Sequence, residues 1–84
     1  MKKLLDVRYE EEWYEERIPD ATLIPLPELR ARLGELDKDH EYIVYCHAGK
    51  RSAVADLILK NNGFRSSWMR DGIRDWPFAV EKGL

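Results

Sequence analysis

The run Tyr42-Ile43-Val44-Tyr45 constrains the fold more than any other segment. A strand with one face in water alternates apolar and polar residues. An unbroken apolar run of β-favouring residues is instead covered on both faces, as strands of parallel sheets are. Parallel neighbours cannot be joined by a tight hairpin and need crossover connections, usually helices. The rest of the chain should therefore supply strands alternating with helices.

It does. Lys3 to Arg8 reads as a short strand ending in polar residues, and Tyr9 to Arg17 as a Glu-rich helix with Trp13 toward the core. Ile18-Pro19-Asp20-Ala21 is a turn, since Pro fixes φ and Asp tolerates turn geometry. Thr22-Leu23-Ile24 is a second short strand, stopped by Pro25. Pro27 suits the first turn of a helix that carries Leu29, Leu33 and Leu36 at helical spacing. Asp37 to Glu41 is a polar connection. After the central strand, Cys46 to Lys50 is a loop. Arg51 to Asn62 is a helix with Val54, Leu57 and Ile58 on one side, and Asn62-Gly63 ends it. Ser66 to Met69 is a further buried-type strand, Asp71-Gly72 a turn, and Ile73 to Trp76 a short helical piece. This alternation predicts an α/β fold with a mainly parallel sheet.

With 84 residues, one domain over 1–84 is expected. A chain of this size buries roughly two-thirds of the surface it exposes when unfolded. The 44% hydrophobic and 36% charged content fits a globular protein. A formal net charge of −2 gives no reason to expect nucleic acid or a membrane surface as partner. Lys2 and Lys3 are followed at once by Asp6, Arg8 and a run of glutamates, with no apolar signal segment, so the cytoplasm is the default address, although a domain cut from a longer precursor would read the same way.

Cys46 is the only cysteine, which excludes an internal disulfide and a metal site built from several thiolates. A lone cysteine is either an inert buried thiol or a reactive one. Its setting favours the second. A buried strand delivers it to the carboxyl edge of the sheet, where ligands of open α/β sheets bind. The loop Cys46-His47-Ala48-Gly49-Lys50-Arg51-Ser52 then enters a helix. Backbone N–H groups in such a loop form an anion-binding nest, and the helix N-terminus adds positive potential. Both favour the thiolate. Gly49 supplies the backbone angles of a tight loop, His47 and Lys50 add positive charge, and Ser52 either caps the helix or donates into the loop.

This heptapeptide resembles the active-site loop of the rhodanese-like sulfurtransferases. Leu5-Asp6-Val7-Arg8 is similar to the family's first strand end. Arg17-Ile18-Pro19-Asp20-Ala21 with Leu23-Ile24-Pro25-Leu26 resembles its Gly-His-Ile-Pro-Gly-Ala and Ile-Pro segment. Gly63-Phe64 and Asp71-Gly72-Ile73-Arg74-Asp75-Trp76 match the later Gly-Phe and Gly-Gly-Ile-x-x-Trp. Five weak pieces in the right order cover nearly the whole chain. The resemblance implies a rhodanese-like three-layer fold, a small mainly parallel sheet flanked by helices. It also implies a two-step reaction. Cys46 takes a sulfur from a small anionic donor such as thiosulfate and becomes a persulfide, and a thiol, small or protein-borne, or cyanide removes it. His47, Ala48, Gly49, Lys50, Arg51 and Ser52 would line the donor site, and neither a metal nor an organic cofactor is implied. Cysteine phosphatases place five residues between nucleophile and arginine. Here four separate Cys46 from Arg51, a loop one residue short for phosphate.

Each residue also has a plainer reading. His47 and Lys50 either contact the donor or are solvated. Arg51 either pairs with an acid to hold the loop or binds the anion. Asp6 and Arg8 read as scaffold, Trp76 as core or rim packing, and Arg70 and Arg74 as surface charge near the carboxyl edge. Glu10, Glu11, Glu12, Glu15 and Glu16 read as a solvated helix face. Glu16-Arg17, Asp20 and Asp71 depart from the family pattern and bear on turn geometry and the pocket rim. Two functions compete: an enzyme turning over thiosulfate, and a binding or sulfur-relay module fed by a protein donor.

Overall fold

A computed structural model describes residues 1–83 of the chain. The element order is β1 (Lys2–Asp6), α1 (Glu10–Glu15), β2 (Thr22–Leu23), two 3-10 turns (Leu26–Glu28 and Arg30–Glu35), β3 (Glu41–Tyr45), α2 (Lys50–Asn61), β4 (Arg65–Trp68) and a last 3-10 turn (Ile73–Asp75). The four strands form one sheet in the order β2-β1-β3-β4, every pair parallel. β3 is central, as its apolar run requires. It pairs along its length with β1 (Leu5 with Val44, Asp6 with Tyr45) and with β4 (Val44 with Trp68).

The strand alternation divides the core. Tyr42, Val44 and Cys46 point to one face, where they meet Leu5, Leu29, Ala55, Ile58 and Leu59. Tyr45 points to the other face and packs with Ile18 and Ile73. Burying a side chain such as Leu5 or Val44 completely stabilises the fold by roughly 1.5–3 kcal/mol each. The same period-two register turns Cys46 toward α2 rather than toward the opposite layer.

Four local expectations are corrected. Val54 and Leu57 do not face the core; they are 50% and 60% exposed. The buried stripe of α2 is instead Ser52, Ala55, Asp56, Ile58 and Leu59. Asp56 tolerates burial because Ser66 Oγ donates to its Oδ1 at 2.6 Å and Lys60 Nζ reaches its Oδ2 at 2.9 Å. β4 is an edge strand rather than a buried one, and only Ser66 within it is better than exposed. The segment after Pro25 forms 3-10 turns, not an α-helix. Its i to i+3 bonds run from Glu28 N–H to Pro25 O and from Arg32 N–H to Leu29 O, with Leu29 fully buried. α1 stops at Glu15, and Glu16 is already extended. Ile18, preceding Pro19, is barred from helical geometry in any case. Among the described residues no helix is long and apolar enough to cross a membrane.

Candidate active site

Cys46 directly follows β3, with its side chain under the first turn of α2, and the residue is 1% exposed. Its Sγ accepts the N–H of Gly49 at 3.0 Å and of Ser52 at 3.4 Å, and Ser52 Oγ lies 3.5 Å away. Burial acts to raise the thiol's pKa. The Ser52 hydroxyl and the N–H groups of Ser52, Gly49 and Ala48 outweigh it, so the pKa falls below the ordinary cysteine value. Ser52 Oγ also lies 3.0 Å from the Gly49 carbonyl. A thiol can donate to this hydroxyl, and a thiolate can instead receive its proton, so Ser52 serves both forms.

The loop keeps this shape because two glycines let backbone approach backbone. Gly49 has φ 103°, and a Cβ there would run into the Arg70 carbonyl. Gly72 has φ 64°, and a Cβ there would collide with the carbonyls of Cys46 and His47. Those carbonyls are tied down by the turn that follows. Ile73 N–H donates to Cys46 O at 2.9 Å, and Arg74 N–H to His47 O at 3.2 Å. The Asp71–Arg74 turn is thus the floor of the loop, a role its sequence does not advertise. Asp71 is not at positive φ, so its backbone there does not call for glycine. Asp20 does adopt a positive φ, 66°.

Arg51 forms a two-pronged pair with Glu12, at 2.7 and 2.8 Å, which ties the start of α2 to α1. The Arg51 contact, helped by Tyr9 N–H and opposed by partial burial, takes the Glu12 carboxyl down to about 2. Glu12 therefore leaves the solvated face to which its run assigned it. Neighbouring Asp6 and Arg8 form a buried pair, 0% and 3% exposed, with Arg8 Nη2 at 2.8 Å from Oδ2. Asp6 also accepts Arg8 N–H at 2.9 Å, and Arg8 Nη2 donates to Glu16 O at 2.7 Å. Arg17, out of family pattern, anchors the returning C-terminal segment: its N–H donates to Glu81 O at 2.9 Å and its guanidinium sits 5.0 Å from the Trp13 ring centre.

Of the remaining expected residues, His47, Ala48 and Lys50 are exposed at the loop's outer edge, and among the described residues His47 and Lys50 take no ion pair. A cleft of about 590 Å³ opens beside the loop, between His47, Arg8, the α1 glutamates and Lys82, rather than directly over Cys46. Trp76 is partly buried against Tyr45 and Ile73, as core packing.

The sequence model of the rhodanese-like domain matches residues 1–78. A putative sulfur carrier protein, YrkF, of Bacillus subtilis is 39% identical over 93% of this chain, which spans 43% of that protein. The thiosulfate sulfurtransferase PspE of Escherichia coli is 33% identical, with 94% of this chain and 78% of PspE covered. Among solved structures, a rhodanese-related protein from Thermoplasma volcanium superposes with a TM-score of 0.92 at 32% identity, covering 95% of this chain and 83% of its own.

Proposed function

Because the chain belongs to the rhodanese-like domain family of sulfurtransferases, we propose that Cys46 carries sulfane sulfur as a persulfide, taking it from a small anionic donor such as thiosulfate and passing it to a thiol or cyanide. The Cys46 thiolate attacks the terminal sulfur of thiosulfate. The donor's S–S bond breaks with its electron pair, and sulfite leaves. An acceptor thiolate then attacks the outer sulfur, a new S–S bond forms as the Sγ–S bond breaks, and the Cys46 thiolate returns. This is nucleophilic catalysis in ping-pong order.

The observation that carries the reading is the convergence of the Gly49 and Ser52 N–H groups on Sγ. They favour the thiolate at the start and offer donors to the persulfide's charge afterwards. Exposed Lys50 supplies positive charge at the loop's outer edge, where an anionic donor would approach. The E. coli relative's name supports thiosulfate as donor class. Incubation with thiosulfate should add the mass of one sulfur to the wild type and none to Cys46→Ser. Absence of that mass from the wild type, with no thiocyanate formed from cyanide, would refute the reading.

A second reading has its own support. Cys46 is 1% exposed, and a relative at 39% identity is named a sulfur carrier. In a relay module the donor is a protein persulfide. Loading from such a donor at least tenfold faster than from thiosulfate at equal concentration would favour it, and the reverse order would discard it.

A further inference from the structure

Trp68 is a large aromatic residue left 41% exposed at the end of an edge strand. An exposed tryptophan needs a reason, and its neighbour supplies one. The ring's Cζ3 comes within 3.3 Å of the place a Cβ on Gly49 would occupy. Gly49 is therefore enclosed on its outer side by two parts of one segment, the Arg70 carbonyl and the Trp68 indole. On its inner side, its N–H points at Cys46 Sγ, 3.0 Å away. A residue at φ 103° with no side chain of its own has many backbone alternatives; Ala53 N–H and Ser52 Oγ hold its carbonyl, and packing on its outer side limits the peptide that carries its N–H.

We propose that Trp68 is a positioning residue for the sulfur chemistry: its indole closes the outer side of Gly49 and so holds the Gly49 N–H on Sγ. This rests on Cys46 being the reactive group. The strand's own place in the sheet does not require an aromatic ring there. Trp68 pairs with Val44 through backbone bonds that any residue makes, and Met69 N–H continues to Val44 O at 2.9 Å. Gly49 is buried, and an N–H bond to a charged sulfur is stronger out of water. Removing the ring frees that peptide to rotate, and the thiolate loses one of its donors.

The test reads the thiol directly and so stands apart from sulfur transfer. Alkylation of Cys46 by iodoacetamide is followed against pH in the wild type, Trp68→Ala, Trp68→Leu and Trp68→Phe. The other titratable and charged groups of the surrounding segments remain in every variant: His47 and Lys50 in the loop, the Arg51–Glu12 and Asp6–Arg8 pairs, and Arg70, Asp71 and Arg74 after β4. We expect the midpoint of the alkylation profile to move up by roughly one in Trp68→Ala and Trp68→Leu, since a lost donor to the charged form raises a thiol's pKa. The rate at pH 7 should fall by about three- to tenfold. Trp68→Phe, which keeps a flat ring, should restore most of both. In the wild type, the Gly49 amide should exchange with solvent deuterium more slowly than the exposed Ala48 amide. Wild-type profiles in the alanine and leucine variants would overturn the proposal. So would a fast-exchanging Gly49 amide, which is measured without any substitution. If thiosulfate loading fails while these shifts appear, the donor assignment falls and the positioning role stands.

Discussion

Two acid–arginine pairs flank the same loop and do different work. Asp6–Arg8 is within three per cent of complete burial. Glu12–Arg51 keeps about a third of each side chain in water, 30% and 29%. The first joins residues two apart at the end of β1, where the carboxylate also takes a backbone N–H. The second joins α1 to the start of α2 across 39 residues. A buried pair earns little net stability, yet breaking it strands a charge out of water. A half-exposed pair contributes little either way, so its value lies in where it puts the arginine. The two pairs should therefore fail differently: one as loss of the fold, the other as loss of function.

The sharpest break is Asp6→Ala. It leaves the Arg8 guanidinium buried without its carboxylate and should lower stability by about 3–5 kcal/mol. A chain of 84 residues has a total on the order of 4–12 kcal/mol, so urea melts should show a protein at or near the edge of folding. An Asp6→Ala protein as stable as wild type would remove the basis of the comparison.

Glu12→Gln should give the opposite profile. The urea midpoint should change by an amount worth no more than about 1 kcal/mol, as for a partly exposed pair. Sulfur-transfer turnover should drop by about tenfold or more, because Arg51 loses its tether and small displacements near a reacting atom are expensive. Acid adds a second signature. The folded Glu12 carboxyl sits near 2 against an ordinary 4.5, so the pair's contribution is complete above about 4.5 and disappears as pH falls toward about 2. Between those values wild-type stability should decline more steeply than that of Glu12→Gln. Parallel decline would show that the pair does not form in solution.

The contrast between these pairs also shows what a sequence can disclose. Tyr42–Tyr45 and the helix after it were legible because their signals are local: an apolar run, a glycine, a polar stop. The Cys46 loop was legible for the same reason, since strand, loop and helix start are consecutive. An acid partner was one of the two roles open to Arg51, but Glu12 looked like one more solvated glutamate because its partner is remote in sequence. α2 misled in the same way. Periodicity assigned Val54 and Leu57 to the core, while the buried stripe carries Ser52 and Asp56, whose burial is tolerable only through contacts with Cys46, Gly49 and Ser66. Ser66 to Met69 reads as a covered strand, and the strand order and exposure place β4 at an edge.

A third position, outside both pairs, separates stability from function. Asp20 holds φ 66° in an exposed turn, and among the described residues its carboxylate makes no hydrogen bond. A left-handed conformation costs an ordinary L-residue roughly 1–2 kcal/mol, less for Asp, and costs glycine nothing. Glycine loses more chain entropy on folding, by roughly 0.5–1 kcal/mol. The difference favours Asp20→Gly by about 0.5 kcal/mol, which for a chain of this size raises Tm by roughly 2–4 °C. Placed behind each broken pair, the substitution should add the same increment to both. It should recover some folded protein from Asp6→Ala, and with it some sulfur transfer. Turnover per folded Glu12→Gln molecule should stay where it was, because stability was not what that variant lost. If Asp20→Gly restored turnover in Glu12→Gln, Glu12 would be a stability residue after all, and the division between the two pairs would collapse.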